Sequence, residues 1–185
     1  MLILQNNRYE IVIANDSSYL LDSIDNLRSY DTEYLLGDKS VQPSSQHSVV
    51  VKDNSRILRT CILLADGGAT GIQQQSALIH HDSCIVAVGP FLCSLCIPTL
   101  ELELSTKVDF ATCFGVYYSE KHNCFISHGE LVIARVEHDG KLLWQSGGKD
   151  IFTNGFELHD DHIETIDFND ERYCVNMQTG TSKLI

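Results

Sequence analysis

Histidines are the residues of this chain with the clearest capacity for chemistry. The chain contains eight of them, and imidazole titrates near neutral pH and is a common metal ligand. His80 and His81 are adjacent and are followed by Asp82. On a strand the two rings would point to opposite faces, whereas a turn allows them to converge with Asp82. This group is the first candidate for a catalytic site.

His122 and His128 complete the candidate catalytic set. Asp82, His122 and His162 occupy one position of a forty-residue repeat described below, where polar turn residues usually face solvent. His128 occupies the repeat position of Val88, so it is either a core histidine with satisfied hydrogen bonds or a ligand in a groove. The candidate catalytic residues are therefore His80, His81, Asp82, His122 and His128.

Other motifs do not form a recognisable site. Cys93 and Cys96 have the spacing of a zinc knuckle, but residues three apart on a strand point to opposite faces, and no second pair follows at zinc spacing. The segment Asp66–Gly71 is rich in glycine but lacks the Lys-Ser/Thr of a phosphate-binding loop. Nucleophile-elbow and metalloprotease motifs are also absent. The sequence therefore predicts neither a metal nor a cofactor, and it favours a non-enzyme.

The charge balance excludes several classes of partner. The 185 residues carry 13 Lys+Arg against 25 Asp+Glu, a formal net charge of −12, and residues 73–185 hold 16 of the acidic residues against 7 basic ones. A nucleic-acid binder needs clustered basic residues, so the expected partner is another protein. No run approaches the ~18 apolar residues of a membrane span. Seven cysteines in apolar runs predict free thiols and a cytoplasmic protein.

A repeat with a period of forty residues organises the chain after residue 72. Three copies, at about 73–112, 113–152 and 153–185, share apolar residues at the same offsets. The matching positions include Cys84 with Cys124; Leu78 with Tyr118 and Leu158; and Leu102 with Leu142.

Each copy has the pattern of β structure. In the middle copy apolar residues fill most of 131–136, and the sequence His138-Asp139-Gly140-Lys141 that follows is a hairpin signal, because Asp-Gly accommodates the positive φ of a tight turn. A unit of about forty residues with four short strands has the size of a propeller blade. The predicted fold class is all-β, with antiparallel blade-like repeats that form a partial or small β-propeller or stacked β-meander sheets.

The segment Val136–Trp144 resembles the end of a blade in quinoprotein-type and WD-type β-propellers. In those families a turn with Gly precedes an apolar strand whose Trp packs between blades. Asn176–Leu184 resembles the same element without the Trp. The resemblance implies a fold type and no activity, because the sequence has neither a quinone site nor a WD dipeptide.

A single domain is predicted, with an N-terminal part at 1–46 and a β-repeat part at 47–185. Residues 1–4 and 8–14 predict a hairpin, and 47–52 and 56–64 predict two further strands. Residues 36–46 are the most loop-like segment and mark the predicted internal boundary. Between hairpin and loop, Ser17 or Ser18 is a candidate cap for a short helix that carries Leu20, Leu21, Ile24 and Leu27.

Three or four blade-like units do not close easily into a propeller, so the terminal units are expected to expose unpaired strand edges that another strand or subunit must cover. The last strand of the final blade is expected to be truncated. Either Met1–Leu4 or a second subunit would complete that blade, and the second route predicts a homodimer. The favoured function is a non-catalytic protein-interaction module, for example an inhibitor or immunity-type protein for a basic partner. The alternative is a hydrolase or small-molecule-binding enzyme with a histidine-containing site at the blade hairpins.

Overall fold

The computed structural model describes all 185 residues, which form seventeen strands and no helix. The structure accordingly has no helix that could cross a membrane. The strands make four sheets. The first contains five strands, β1 (Leu2–Gln5), β2 (Glu10–Asn15), β3 (Thr32–Leu36), β4 (Ser45–Asp53) and β5 (Arg56–Ala65).

Each of the other three sheets is a four-stranded antiparallel meander. These sheets correspond to the three copies of the repeat, because Leu78, Tyr118 and Leu158 each lie in the first strand of a sheet. The predicted all-β fold of blade-like units is therefore confirmed. The strands are β6 (Ala77–His80), β7 (Ser83–Val88), β8 (Phe91–Cys96) and β9 (Leu102–Lys107); β10 (Cys113–Ser119), β11 (Cys124–Gly129), β12 (Val132–Val136) and β13 (Leu142–Gly147); and β14 (Gly155–Leu158), β15 (His162–Ile166), β16 (Arg172–Asn176) and β17 (Ser182–Leu184).

The first sheet is a blade with one strand added. Its strands β1, β2, β4 and β5 are antiparallel neighbours, and β3 pairs in parallel with the outer side of β5. The predicted N-terminal hairpin and the two strands that follow residue 46 are confirmed as β1–β2 and β4–β5. Strands from both sides of residue 46 thus share one sheet, and the single-domain organisation stays a prediction.

The predicted short helix is wrong, because residues 16–31 form turns instead. Ile24 and Leu27, which belong to its expected apolar face, are 98% and 95% exposed. Side-chain hydrogen bonds fix the turns: the Asn26 amide accepts from the Leu20 backbone N (2.8 Å) and donates to the Leu20 carbonyl (2.6 Å). Such local bonds compete directly with helical ones.

The same segment covers the outer face of the first sheet. Tyr19 and Tyr30 lie edge to face with ring centroids 5.2 Å apart, and they pack with the buried Ile62 and Leu64 of β5. The Tyr30 hydroxyl donates to the Asp16 carboxylate at 2.6 Å. The loop therefore covers this face of the sheet with two tyrosines and, from the expected helix, Leu21.

Three hydrophobic clusters hold neighbouring sheets together. They contain 17 buried residues between the first and second sheets, 9 between the second and third, and 8 between the third and fourth. Burial of apolar surface is worth about 25 cal/mol per Å², so these interfaces drive the stacking. No such cluster joins the fourth sheet to the first, and the four blades form an open stack rather than a closed propeller.

Trp144 packs at the interface of the third and fourth sheets, as the blade resemblance implies. Its Nε1 donates to the Met177 carbonyl at 3.1 Å, and its ring joins the third cluster. Gly180 lies directly against this ring with φ 69°, and a Cβ there would meet the indole at 2.7 Å. The turn before β17 therefore needs glycine for both its backbone conformation and its close approach.

The fourth sheet has four strands, and its last strand is short, with three residues against six in the last strands of the second and third sheets. Completion of this blade by the N-terminal strand is wrong. Ser182–Leu184 pairs with β16, and residues Met1–Leu4 pair within the first sheet instead. The predicted homodimer is not needed to complete this blade and stays a prediction.

All seven cysteines are free. Cys84 and Cys124, which share a repeat position, are both fully buried, and Cys93 lies in the first hydrophobic cluster. Burial raises the pKa of Cys84 and Cys93 to about 12, so these thiols stay protonated and behave as small apolar residues.

The connections of the stack sort into two ends. One, here called the crossover end, contains the connections between sheets (66–76, 108–112 and 148–154) and the central turns of the last three sheets (89–90, 130–131 and 167–171). The other, the hairpin end, contains the other short turns that join consecutive paired strands (6–9, 54–55, 81–82, 97–101, 120–123, 137–141, 159–161 and 177–181). Most of the histidines lie in or beside the hairpin end, namely His80, His81, His122, His138, His159 and His162.

A buried carboxylate fixes the crossover end. Asp109 is 1% exposed, and its Oδ1 accepts from the backbone N atoms of Ala111 and Thr112 at 2.7 and 3.1 Å. Its Oδ2 accepts from the N atoms of Leu131 and Val132, both at 3.0 Å. One side chain thus satisfies four backbone donors and joins the connection between two sheets to the central turn of the third.

Asp109→Asn is expected to destabilise the protein by about 2–4 kcal/mol. The amide keeps the shape of the carboxylate but turns an NH₂ group toward backbone N–H donors, and each buried unsatisfied donor costs about 1–3 kcal/mol. Urea unfolding measures the change. Asp139→Asn is the matched control, because Asp139 is exposed and accepts one backbone hydrogen bond. An equal loss of unfolding free energy in the two variants would contradict the structural role assigned to Asp109.

Candidate functional site

His80 and His81 converge at the hairpin end, as the sequence suggested for a turn. His81 has a left-handed backbone (φ 52°), which breaks the alternation of a strand, and the two ring centroids lie 4.1 Å apart. His138, from the turn between β12 and β13, stacks on His80 at 4.8 Å. Asp82 is exposed and does not line the resulting cleft. Three imidazoles from two neighbouring sheets therefore meet, without the predicted aspartate.

Glu103 supplies the carboxylate of this cleft, which has a volume of about 300 Å³. Ser83 and Ser94 donate their hydroxyl hydrogens to Glu103 Oε2 at 2.7 and 2.6 Å. No hydrogen bond joins Glu103 to His80 or His138. An acid–base pair requires such a contact or a bridging water, and Glu103 makes its direct hydrogen bonds to the two serines instead.

His80 is the most enclosed imidazole of the cleft. The rings of Tyr118 and Phe125 contact it, with centroids 4.2 and 5.4 Å away, and its Nε2 is buried without a hydrogen-bond partner. Burial lowers the pKa of His80, and the neighbouring His81 and His138 lower it further. The ring is therefore held neutral near pH 7 and is able to accept or donate one hydrogen bond to a ligand.

His122 does not line the His80 cleft. Its Nε2 lies 2.8 Å from the carbonyl oxygen of Asp160, in the turn of the fourth sheet. The adjacent Lys121 forms an ion pair with Asp161 in the same turn. These two contacts tie neighbouring hairpins together, so His122 acts on the fourth sheet and not with His80.

His128 lies far along β11 from the hairpin end, beside a second cleft of about 250 Å³. Its ring stacks on Phe156 at 4.8 Å and meets the edge of Phe114 at 5.5 Å. Its Nε2 is buried without a hydrogen-bond partner among the protein groups, and the two predicted roles, a core histidine or a ligand in a groove, stay predictions. Burial lowers the pKa of His128 to about 4, and the ring is neutral at physiological pH.

A third group of side chains, on the fourth sheet, is absent from the predicted set. The register pairs Glu157 with Glu164, and the next pair outward is His159 with His162, joined by a backbone hydrogen bond of 3.0 Å. Alternation along the strands places all four side chains on one face. The ligand atoms of His159, His162 and Glu164 lie within 4.8 Å of one another.

The sequence contains only a weak signal for this group. The two histidines flank Asp160-Asp161, and two residues are enough for a tight hairpin turn. The signal becomes specific only when the strand register is known, because a shift by one residue would place the histidines on opposite faces.

No family model and no curated protein matches the chain. Among solved structures it is similar to the computationally designed Ika8 protein (TM-score 0.56, 11% identity, 98% of this chain and 59% of that chain). It is also similar to the WD40 beta propeller domain of Doa1 (0.53, 12%, 98% and 66%) and to the AfRom2 CNH domain (0.51, 10%, 78% and 48%). The chain thus spans about half to two thirds of these proteins, and at such identities the similarity shows a propeller-like fold alone.

The half-buried His128 is expected to make stability depend on pH. A histidine has a pKa near 6.5 when unfolded and about 4 here, so the unfolded chain binds the proton more tightly and stability falls as the pH is lowered from 6.5 to 4. The loss reaches about 3 kcal/mol at most. His128→Phe should flatten this part of the profile in urea unfolding at several pH values.

Leu143→Gln is the control for that measurement, because Leu143 is 42% exposed and carries no titratable group, so its replacement should leave the slope unchanged. If His128→Phe keeps the full wild-type slope between pH 6.5 and 4, the lowered pKa assigned to His128 is wrong.

Proposed function

We propose that the protein is a non-catalytic protein-interaction module whose partner presents apolar residues within a basic surface. Its propeller-like fold supports this proposal, because stacked β units offer an extended surface to a partner. The observation that carries the proposal is a row of exposed hydrophobic side chains along the crossover end.

The row consists of Phe110, Leu131 and Phe168, which are 67%, 38% and 64% exposed. Phe110 belongs to the connection after the second sheet, Leu131 to the central turn of the third, and Phe168 to that of the fourth. Backbone hydrogen bonds fasten the segments to one another, for example Glu130 N to the Thr112 carbonyl and Phe168 N to the Ile151 carbonyl, each 2.8 Å. Grouped exposed apolar residues on a rigid frame are typical of an interaction site.

The charge around this row favours a basic partner. Residues 148–185 contain eight acidic and three basic residues, and four of the acidic ones lie in the connection or the central turn at the crossover end, namely Asp150, Asp167, Asp170 and Glu171. Asp150 and Asp170 lie on the same end as the row and are exposed. Complementary charge accelerates association and suppresses wrong partners. An inhibitor or immunity-type protein that neutralises a basic protein is the specific form of the proposal.

The double variant Phe110→Ser/Phe168→Ser should lose its partner. The test is affinity capture from native lysate followed by quantitative mass spectrometry. The wild type should enrich a basic protein at low salt. Enrichment should fall at high salt, because dissolved ions screen attractions between charges that are more than about 10 Å apart. The double variant should reduce the enrichment at least about tenfold, the effect of losing ~1.4 kcal/mol.

Ile57→Ser is the matched control, because Ile57 is 58% exposed but follows the turn between β4 and β5, at the hairpin end. It should bind as the wild type does. Capture of the same basic protein by the wild type and the double variant alike would contradict the proposed surface.

The second candidate function is small-molecule binding or hydrolysis at the His80 cleft. The specific observation in its favour is the convergence of His80, His81 and His138 beside Glu103. Ligand-observed NMR with small anionic and polar fragments tests it: binding should occur in the wild type and be lost in His80→Ala, while His128→Phe should bind normally. If no fragment binds, or if binding survives His80→Ala, this candidate fails.

A further inference from the structure

We propose that His159, His162 and Glu164 form a binding site for a divalent transition metal ion of the zinc class. The site lies on the outer face of the fourth sheet at the hairpin end. It is independent of the protein-interaction surface proposed at the crossover end.

The geometry brings the three ligand groups together before any ion binds. The two imidazole rings stack almost parallel, with centroids 4.5 Å apart and an interplanar angle of 15°. His162 Nε2 lies 3.4 Å from Glu164 Oε1, and His159 Nε2 lies 3.5 Å from Glu157 Oε2. The Nε2 atom of each histidine therefore faces a carboxylate, and the three proposed donors lie within 4.8 Å of one another, close enough to surround one ion at the ~2.0–2.2 Å distances that zinc requires.

The donor set selects the class of metal. Two imidazoles and one carboxylate suit zinc and its neighbours, whereas calcium and magnesium prefer ligand sets made of oxygen alone. Three protein ligands leave a coordination position open for water or an external donor. That position has space beside it, because a cleft of about 320 Å³ lined by His162, Cys174 and Asn176 adjoins the site.

The protein holds this hairpin in place from a neighbouring sheet. His122 Nε2 bonds the carbonyl of Asp160 at 2.8 Å, and Lys121 pairs with Asp161. Both contacts are made to the two residues that separate His159 from His162. The turn is thus fixed by contacts outside the ligand set, which reduces the ordering that the ion itself must impose.

Isothermal titration of the untagged full chain with ZnCl₂ tests the proposal. One zinc ion per chain is expected at this site, and it should raise the Tm because it binds the folded state. His159→Ala and His162→Ala should each weaken binding by at least about 100-fold, more than the ~10–100-fold that loss of a ligand's hydrogen-bonding partner costs. Glu164→Gln should weaken it less, because the amide oxygen remains a poor donor.

Two controls separate this site from the other histidines. His81→Ala and His138→Ala alter the His80 cleft and should leave zinc affinity unchanged. The three ligand side chains are partly exposed, so the ligand variants should fold, and far-ultraviolet circular dichroism checks that they do. A wild type that binds no zinc, folded ligand variants that bind it normally, or binding that disappears in His138→Ala would each overturn the assignment.

Discussion

The satisfaction of backbone donors at the crossover end is the constraint on which the stack depends. The chain leaves one sheet and enters the next through short connections, and backbone groups in such connections lack strand partners. Asp109 meets this need with one carboxylate that accepts four N–H groups from two segments. Gly129 lies so close that a Cβ there would overlap the carboxylate. The hydrophobic faces hold the sheets together. The Asp109 hydrogen bonds fix the position of the third sheet's central turn relative to the connection that precedes this sheet.

Related contacts recur along the stack and explain part of the repeat. Gly89, which shares a repeat position with Gly129, has φ 51°, and a Cβ there would lie 2.8 Å from the Asp66 carbonyl oxygen. At the corresponding position of the fourth sheet, Asn169 donates from its side chain to Asp150 at 2.7 Å. In each case an aspartate in the connection between two sheets contacts the central turn of the following sheet, Asp66 through its backbone and Asp109 and Asp150 through their carboxylates. The forty-residue period therefore reflects a repeated close contact as well as repeated strands.

The repeat could be predicted because its apolar positions and turn residues are local signals. Turns such as His138–Lys141 and the apolar strand with Trp144 locate a blade without any knowledge of its neighbours. The segment at 16–31 could not be predicted in this way, since Leu20 and Ile24 have helical spacing but its aromatic residues pack on β5. Candidate sites depend even more on tertiary structure, because His138 reaches His80 only through the stacking of two sheets.

The outer faces of the terminal sheets explain how four blades are compatible with an open stack. A closed propeller would need an apolar surface on both faces of every sheet. Here the loop at 16–31 covers the first sheet, while the outer face of the fourth carries polar residues such as Glu157, Glu164 and Lys183. Polar outer faces are what terminal units of repeat proteins require for solubility. The same polarity places two histidines and two carboxylates on a solvent-facing sheet, so the face that ends the stack is also the one that supplies metal-binding groups.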